Sequence, residues 1–163
     1  MAIKQKEVII SMLQKMYWVE TEMEQLGTWE ARIEMMGECT NTLEILQNDS
    51  DVHRIILEKW MNVIKIEIPK CVPTGLPSKG FNFSGMDAPG MFKELMKYEV
   101  FARDVYAEIT NADQNVLGEL LPDETERREF ISDLENVIKD EIKHVSLCKK
   151  MVGGYTTIMS GGN

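Results

Sequence analysis

Apolar residues recur every three to four positions along four long stretches of this chain, the period of a helix with one buried face. The first, over residues 3–26, carries Ile9, Met12, Met16, Val19, Met23 and Leu26. The second, over 38–68, carries Cys39, Leu43, Leu46, His53, Ile56 or Leu57, Trp60 and Ile64, and Pro69 is expected to stop it. The third, over 91–109, carries Leu95, Tyr98, Ala102, Val105 or Tyr106, and Ile109. The last starts at Pro122-Asp123, with Glu126 placed for a capping box. It carries Leu134, Val137, Ile138, Val145, Cys148 and Val152. Gly153-Gly154 is expected to end it and leave residues 153–163 as a flexible tail. Gly27-Thr28 ends or bends the first helix, Trp29 to Met36 is itself helix-compatible, and 111–121 is a connector with room for a short helix.

One long break interrupts the pattern. Residues 69–90 hold Pro69, Pro73, Pro77 and Pro89 with Gly75, Gly80, Gly85 and Gly90, which punctuate the chain against regular structure. A loop this long in a compact domain usually crosses it or carries function. Crossing helices of this length takes roughly 40 Å at ~1.5 Å rise per residue, within the reach of an extended segment of that size. The expectation is an all-α domain over residues 1–152, a four-helix bundle of two helix pairs joined by a long crossover loop. Phe81 and Phe83 are expected to pin that loop.

The buried stripes contain groups that do not belong in a hydrocarbon core. Glu20 follows Val19, Glu99 follows Tyr98, and Glu141 with His144 lies on the last stripe. An ionised carboxylate is costly there unless it is paired or bound to a metal. Ion pairs are the simpler explanation for two of them: Glu141 with Lys143 or Lys149, and Glu99 with Arg103 four residues on. Repetition changes the balance. Asp140-Glu141-Ile142-Lys143-His144 is matched ninety-one residues earlier by Asp49-Ser50-Asp51-Val52-His53, each with its His on the buried face. A Glu and a His three apart project from one side of a helix and can hold one cation.

At 163 residues and 44% hydrophobic content the chain suits one domain with a sizeable core. Its net charge of −9, with no Lys/Arg cluster, argues against a general nucleic-acid binder. No run approaches the ~18 uncharged apolar residues of a membrane span. Residues 1–7 hold no apolar region with a cleavage site, so the expected location is the cytoplasm. Cys39, Cys71 and Cys148 form no Cys-x-x-Cys pair, which leaves no zinc ribbon or rubredoxin-like centre and makes buried free thiols the default.

Each half thus offers a helix with one Glu on its stripe, then a helix with a metal-type His. One Glu on each first helix and a Glu-x-x-His on each second is the inward-facing ligand set of di-iron carboxylate bundles. With the segments 98–106, Tyr-Glu-Val-Phe-Ala-Arg-Asp-Val-Tyr, and 140–144, the chain resembles the ferritin-like superfamily. More closely, it is similar to a rubrerythrin-type di-iron carboxylate protein lacking a rubredoxin domain, over about residues 3–152.

The resemblance implies metal ligation by Glu20, His53, Glu99, Glu141 and His144. Glu20 and Glu99 would be terminal ligands, Glu141 a bridge, and His53 and His144 one nitrogen to each metal. The family's second bridging Glu is replaced here by Ser50, with Asp49 a possible substitute ligand. Two irons are implied if the site is complete, and one metal or none if Ser50 has disabled it. Tyr17, Tyr98 or Tyr106 would donate to the ligands. The implied chemistry is oxidase or peroxidase in type, on dioxygen or hydrogen peroxide. The missing Cys-x-x-Cys makes a separate electron-donor protein the expectation, and a homodimer is the expected assembly. The alternative is a catalytically inactive bundle acting as a binding or oligomerisation module, with Trp18, Trp29, Trp60 and the Met-rich first helix as its apolar surface.

Overall fold

The computed structural model describes residues 2–26, 37–77 and 81–160, with side chains through 153. Five helices and no strand occur among the described residues: α1 Lys6–Met23, α2 Gly37–Ile64, α3 Ala88–Thr110, α4 Gln114–Leu120 and α5 Glu124–Ser160. The protein is all-helical. The expectations for Gly27-Thr28 and for Trp29 to Met36 fall outside the described residues.

Local chemistry sets the helix ends, and several differ from the periodic reading. α1 begins at Lys6 rather than Ile3, because the carbonyl of Ile3 accepts the amide of Asp113 at 3.0 Å instead of starting the helical ladder. α2 stops at Ile64, short of Pro69. Lys65 takes a left-handed conformation (φ 64°), its amide donates to Asn62 O at 3.2 Å, and the Ile66 amide donates to Met61 O at 2.8 Å. This is a Schellman closure, with Ile66 and Met61 packed in the same apolar cluster. Its left-handed residue is a lysine where glycine is usual, which hid the stop. Lys65→Gly is expected to stabilise the fold by about 0.5–1 kcal/mol in denaturant unfolding, since glycine relieves the steric cost of positive φ. A loss of stability would refute this account of the helix end.

α3 starts at Ala88, three residues before the expected Met91. The Asp87 carboxylate accepts the Gly90 amide at 2.8 Å, and Pro89 sits in the first turn, where its missing N–H is harmless. A Cβ on Gly90 would lie 2.9 Å from the same Asp87 oxygen, so the glycine belongs to this cap. Asp113 caps α4, the short helix allowed for in the connector, and Asp123 accepts the Glu126 amide at the start of α5. α5 runs through Gly153-Gly154 to Ser160, beyond its expected end. Glycine lowers helix propensity but keeps the backbone hydrogen bond.

α3 packs most extensively on α5, α1 pairs with α2, and contacts of α2 with α5 and of α1 with α3 close the group. The core forms two clusters. One holds Ile9, Leu13, Leu57, Trp60, Tyr106, Ile109, Phe130 and Leu134. The other holds Met23, Leu43, Leu46, Met91, Leu95 and Cys148. Burial in these clusters stabilises by ~1.5–3 kcal/mol per large apolar side chain. Met12 of the first stripe is only half-buried, with its neighbour Leu13 buried instead, and on the second stripe Leu57 rather than Ile56 is buried. Trp60 is core, in edge contact with Phe130 and donating to Asp133 at 2.8 Å, so it offers no surface for pairing. Phe83 is buried, and Phe81 stacks edge-on against Tyr98 at 4.6 Å, which fixes the linker as expected.

On all four long helices a buried polar group falls between the two clusters. Glu20 lies between Val19 and Met23, Ser50 and His53 between Leu46 and Leu57, Glu99 between Leu95 and Ala102, and Glu141 and His144 between Val137 and Cys148. The fold therefore holds one polar layer enclosed by hydrocarbon above and below.

Candidate metal centre

The polar layer is closed to water. Glu20, Glu99 and Glu141 are 1–2% exposed, and His53 and His144 are fully buried. The ion-pair alternatives do not hold: Arg103 pairs with Asp104 at 3.0 Å, and Lys143 and Lys149 are exposed. Five ligand-type side chains converge instead on one another.

They form two groups, Glu20–His53–Glu141 and Glu99–Glu141–His144, each offering ligand atoms within 4.8 Å of one another. Glu141 belongs to both. Its Oε1 lies 2.9 Å from His53 Nδ1, and its Oε2 lies 3.7 Å from His144 Nδ1. Glu20 Oε1 stands 3.4 Å from His53 Nδ1, and Glu99 Oε2 stands 3.2 Å from His144 Nδ1. The two imidazole rings lie 5.9 Å apart. One carboxylate faces two similar half-sites, each completed by a second carboxylate and a histidine nitrogen.

Three of these buried atoms lack a hydrogen-bond partner: His53 Nδ1, Glu99 Oε1 and Glu141 Oε2. His53 Nδ1 is close to Glu141 Oε1, but the two are not aligned as donor and acceptor. Orphaned buried polar atoms are rare and each needs a cause. Atoms close in distance but not aligned for hydrogen bonds are what ligands aimed at a shared cation produce. The donor set of carboxylate oxygens and imidazole nitrogens fits a divalent transition metal.

Each histidine is held from behind by an aspartate of the other half. His53 Nε2 meets Asp140 Oδ2 at 2.9 Å, and His144 Nε2 meets Asp49 Oδ2 at 2.8 Å. Such a partner sets the ring's tautomer and turns Nδ1 toward the carboxylates, where His53 Nδ1 has no hydrogen-bond partner and His144 Nδ1 bonds Glu99 Oε2 at 3.2 Å. Asp49 was expected as a possible substitute ligand beside Ser50. It already engages His144 across the helix pair. Both aspartates stand four residues before a histidine, at 49/53 and 140/144, a repeated spacing that marked them in the sequence. Asp140→Asn is expected to weaken metal binding at the Glu20–His53 half by about 10–100-fold and Asp49→Asn at the Glu99–His144 half, each sparing the other. Calorimetric titration of both variants separates the halves, and equal losses at both halves would rule out this pairing.

Of the three candidate tyrosines, Tyr106 is the one that hydrogen-bonds a ligand, donating to Glu20 Oε1 at 2.8 Å. Of the other two alternatives, Tyr17 donates to Glu58 and Tyr98 packs on Phe81. None of the three cysteines forms a disulfide, and Cys148 alone is buried, against the expectation for all three. Cys39 is half-buried and Cys71 exposed.

Without a cation the layer balances its charge with protons. Burial and then the charge of Glu141 push the Glu20 and Glu99 carboxyls above the ordinary range. Burial opposes ionisation of Glu141 too, but Glu99, His144 and His53 outweigh it and hold it low. Burial works to lower both imidazoles, yet the carboxylates win: Glu141 and Glu20 push His53 up to about 11, and Glu141 and Glu99 do the same for His144. Protons and metals compete here for the same atoms.

No family model, no curated protein and no solved structure matches this chain. Among the described residues, the buried Glu/His groups can hold a metal ion, and no helix is long and apolar enough to cross a membrane.

Proposed function

We propose that this chain is a ferritin-like, rubrerythrin-type four-helix bundle that binds two iron ions for redox chemistry on dioxygen or hydrogen peroxide. The bundle reading is supported by the two clusters: α2 ends among the Ile9 and Trp60 side chains, whereas α3 begins among those of Met23 and Leu43. The linker over residues 65–87 then has to cross from one end to the other. The resulting order is up, down, crossover, down, up along the four long helices, with α4 in the last turn.

The observation that carries the metal reading is Glu141, whose two oxygens face the two histidine nitrogens while three atoms around it lack partners. Glu20 and His53 would hold one ion, Glu99 and His144 the other, and Glu141 both. Three carboxylates with two neutral nitrogens favour iron, because oxygen donors stabilise its ferric state. Bound iron would supply electrons to the oxidant. The chain's own residues orient the ligands through Asp49, Asp140 and Tyr106 and exclude bulk water. With no Cys-x-x-Cys in the sequence, a separate donor protein would return the electrons.

Ser50 favours a second reading, a bundle with a degraded metal site that serves as a binding or oligomerisation module. Iron content per chain after anaerobic Fe(II) loading, followed by absorbance on exposure to air, decides between them. Two irons that oxidise support the first reading; a chain that takes up no iron leaves the second.

A further inference from the structure

Ser50 stands where the site is short of one donor. α2 and α5 carry the same spacing, Asp49, Ser50, His53 against Asp140, Glu141, His144. The crossed contacts Asp49–His144 at 2.8 Å and Asp140–His53 at 2.9 Å relate the two segments by an approximate twofold axis through the layer. Under that symmetry Glu141, which faces both histidines, falls onto Ser50, which is 2% exposed.

The difference between the two side chains is specific. Glutamate is Cβ, Cγ and a carboxylate, whereas serine is Cβ and Oγ. With Oγ in the place of Cγ, the missing part is the carboxylate itself, a group the size of formate. Charge points the same way. Two divalent ions bring four positive charges against the three carboxylates Glu20, Glu99 and Glu141. One positive charge is left over in a site where uncompensated charge is costly. Asp49 and Asp140 do not cancel it closely, since they lie behind the imidazoles with side chains 32% and 46% exposed, where water screens them.

We infer that the metal-loaded site binds a small carboxylate anion, formate in size, between the two metal positions beside Ser50, whose hydroxyl donates a hydrogen bond to it. The inference rests on the metal-binding reading above. The anion occupies the place of a second bridging side chain and restores the charge balance. Because it is not tethered, it can exchange when the closed layer opens, whereas a glutamate would stay in place.

The test uses the full chain loaded with cobalt(II), whose visible absorption reports its ligands, titrated with sodium formate against sodium benzoate. The wild type is expected to hold two cobalt ions and to show a saturable change with formate and none with the bulkier benzoate. Ser50→Ala is expected to keep the metals and bind formate about tenfold more weakly, the loss of one hydrogen bond to a charged group. Ser50→Glu, with the carboxylate now tethered, is expected to hold both ions and show no change with formate. A wild type that holds two cobalt ions but ignores formate overturns the inference and leaves the metal reading intact. A wild type that holds no cobalt overturns both. An equal response in Ser50→Ala, or a full response in metal-loaded Ser50→Glu, overturns the placement at Ser50.

Discussion

Glu141→Ala is expected to empty both halves of the site at once, lowering metal affinity at each by more than about 100-fold, beyond the range seen when a residue only supports a ligand. Glu141 is the residue common to both donor groups, and its two oxygens face different histidines. Removing it leaves each half with one carboxylate and one imidazole, too few protein donors to hold a divalent ion firmly. Glu20→Ala makes the contrast. It belongs to one group only, so it is expected to lose one metal and keep the other. Metal content per chain after anaerobic Fe(II) loading reads both variants, with circular dichroism to check that the helices remain. Two irons retained in folded Glu141→Ala would sink the shared-carboxylate site.

Fe(II) loading without oxygen should raise the thermal unfolding midpoint by about 10–20 °C, and a chelator should reverse it. A ligand at ~100 times its dissociation constant stabilises by ~2.7 kcal/mol per site, and a domain of this size gains ~2–4 °C per kcal/mol. The physical source is the polar layer. Two buried carboxylates, Glu20 and Glu99, are gathered around a third, Glu141, so burial and mutual charge push those two toward the protonated form. A cation at each half replaces that compromise with direct ligation. Glu141→Ala should show little of the shift. An unchanged wild-type midpoint in metal-saturating Fe(II) would mean that no ion enters the layer.

Much of the candidate site was legible because burial and period are local properties. Glu20, His53, Glu99, Glu141 and His144 each sit in phase with apolar neighbours, and all five are buried together. What escaped the sequence was mostly partnership. The sequence offers no role for Asp140 and only a spare ligand in Asp49, since each bonds a histidine about ninety residues away. Tyr17, Tyr98 and Tyr106 were equivalent until packing put only Tyr106 beside Glu20. The stop of α2 at Lys65 escaped for a different reason, because a lysine in the left-handed conformation carries no glycine or proline signal.

By itself, then, the sequence determined that the protein is helical, where the apolar stripes lie and which charged groups interrupt them, because side-chain direction along a helix follows from spacing of 3.6 residues per turn. Only the tertiary structure decided that those interruptions fall at one level. It also decided that Glu141 faces two histidines and that each aspartate supports the opposite half. Contacts between helices depend on their register and direction in space, which no single helix encodes.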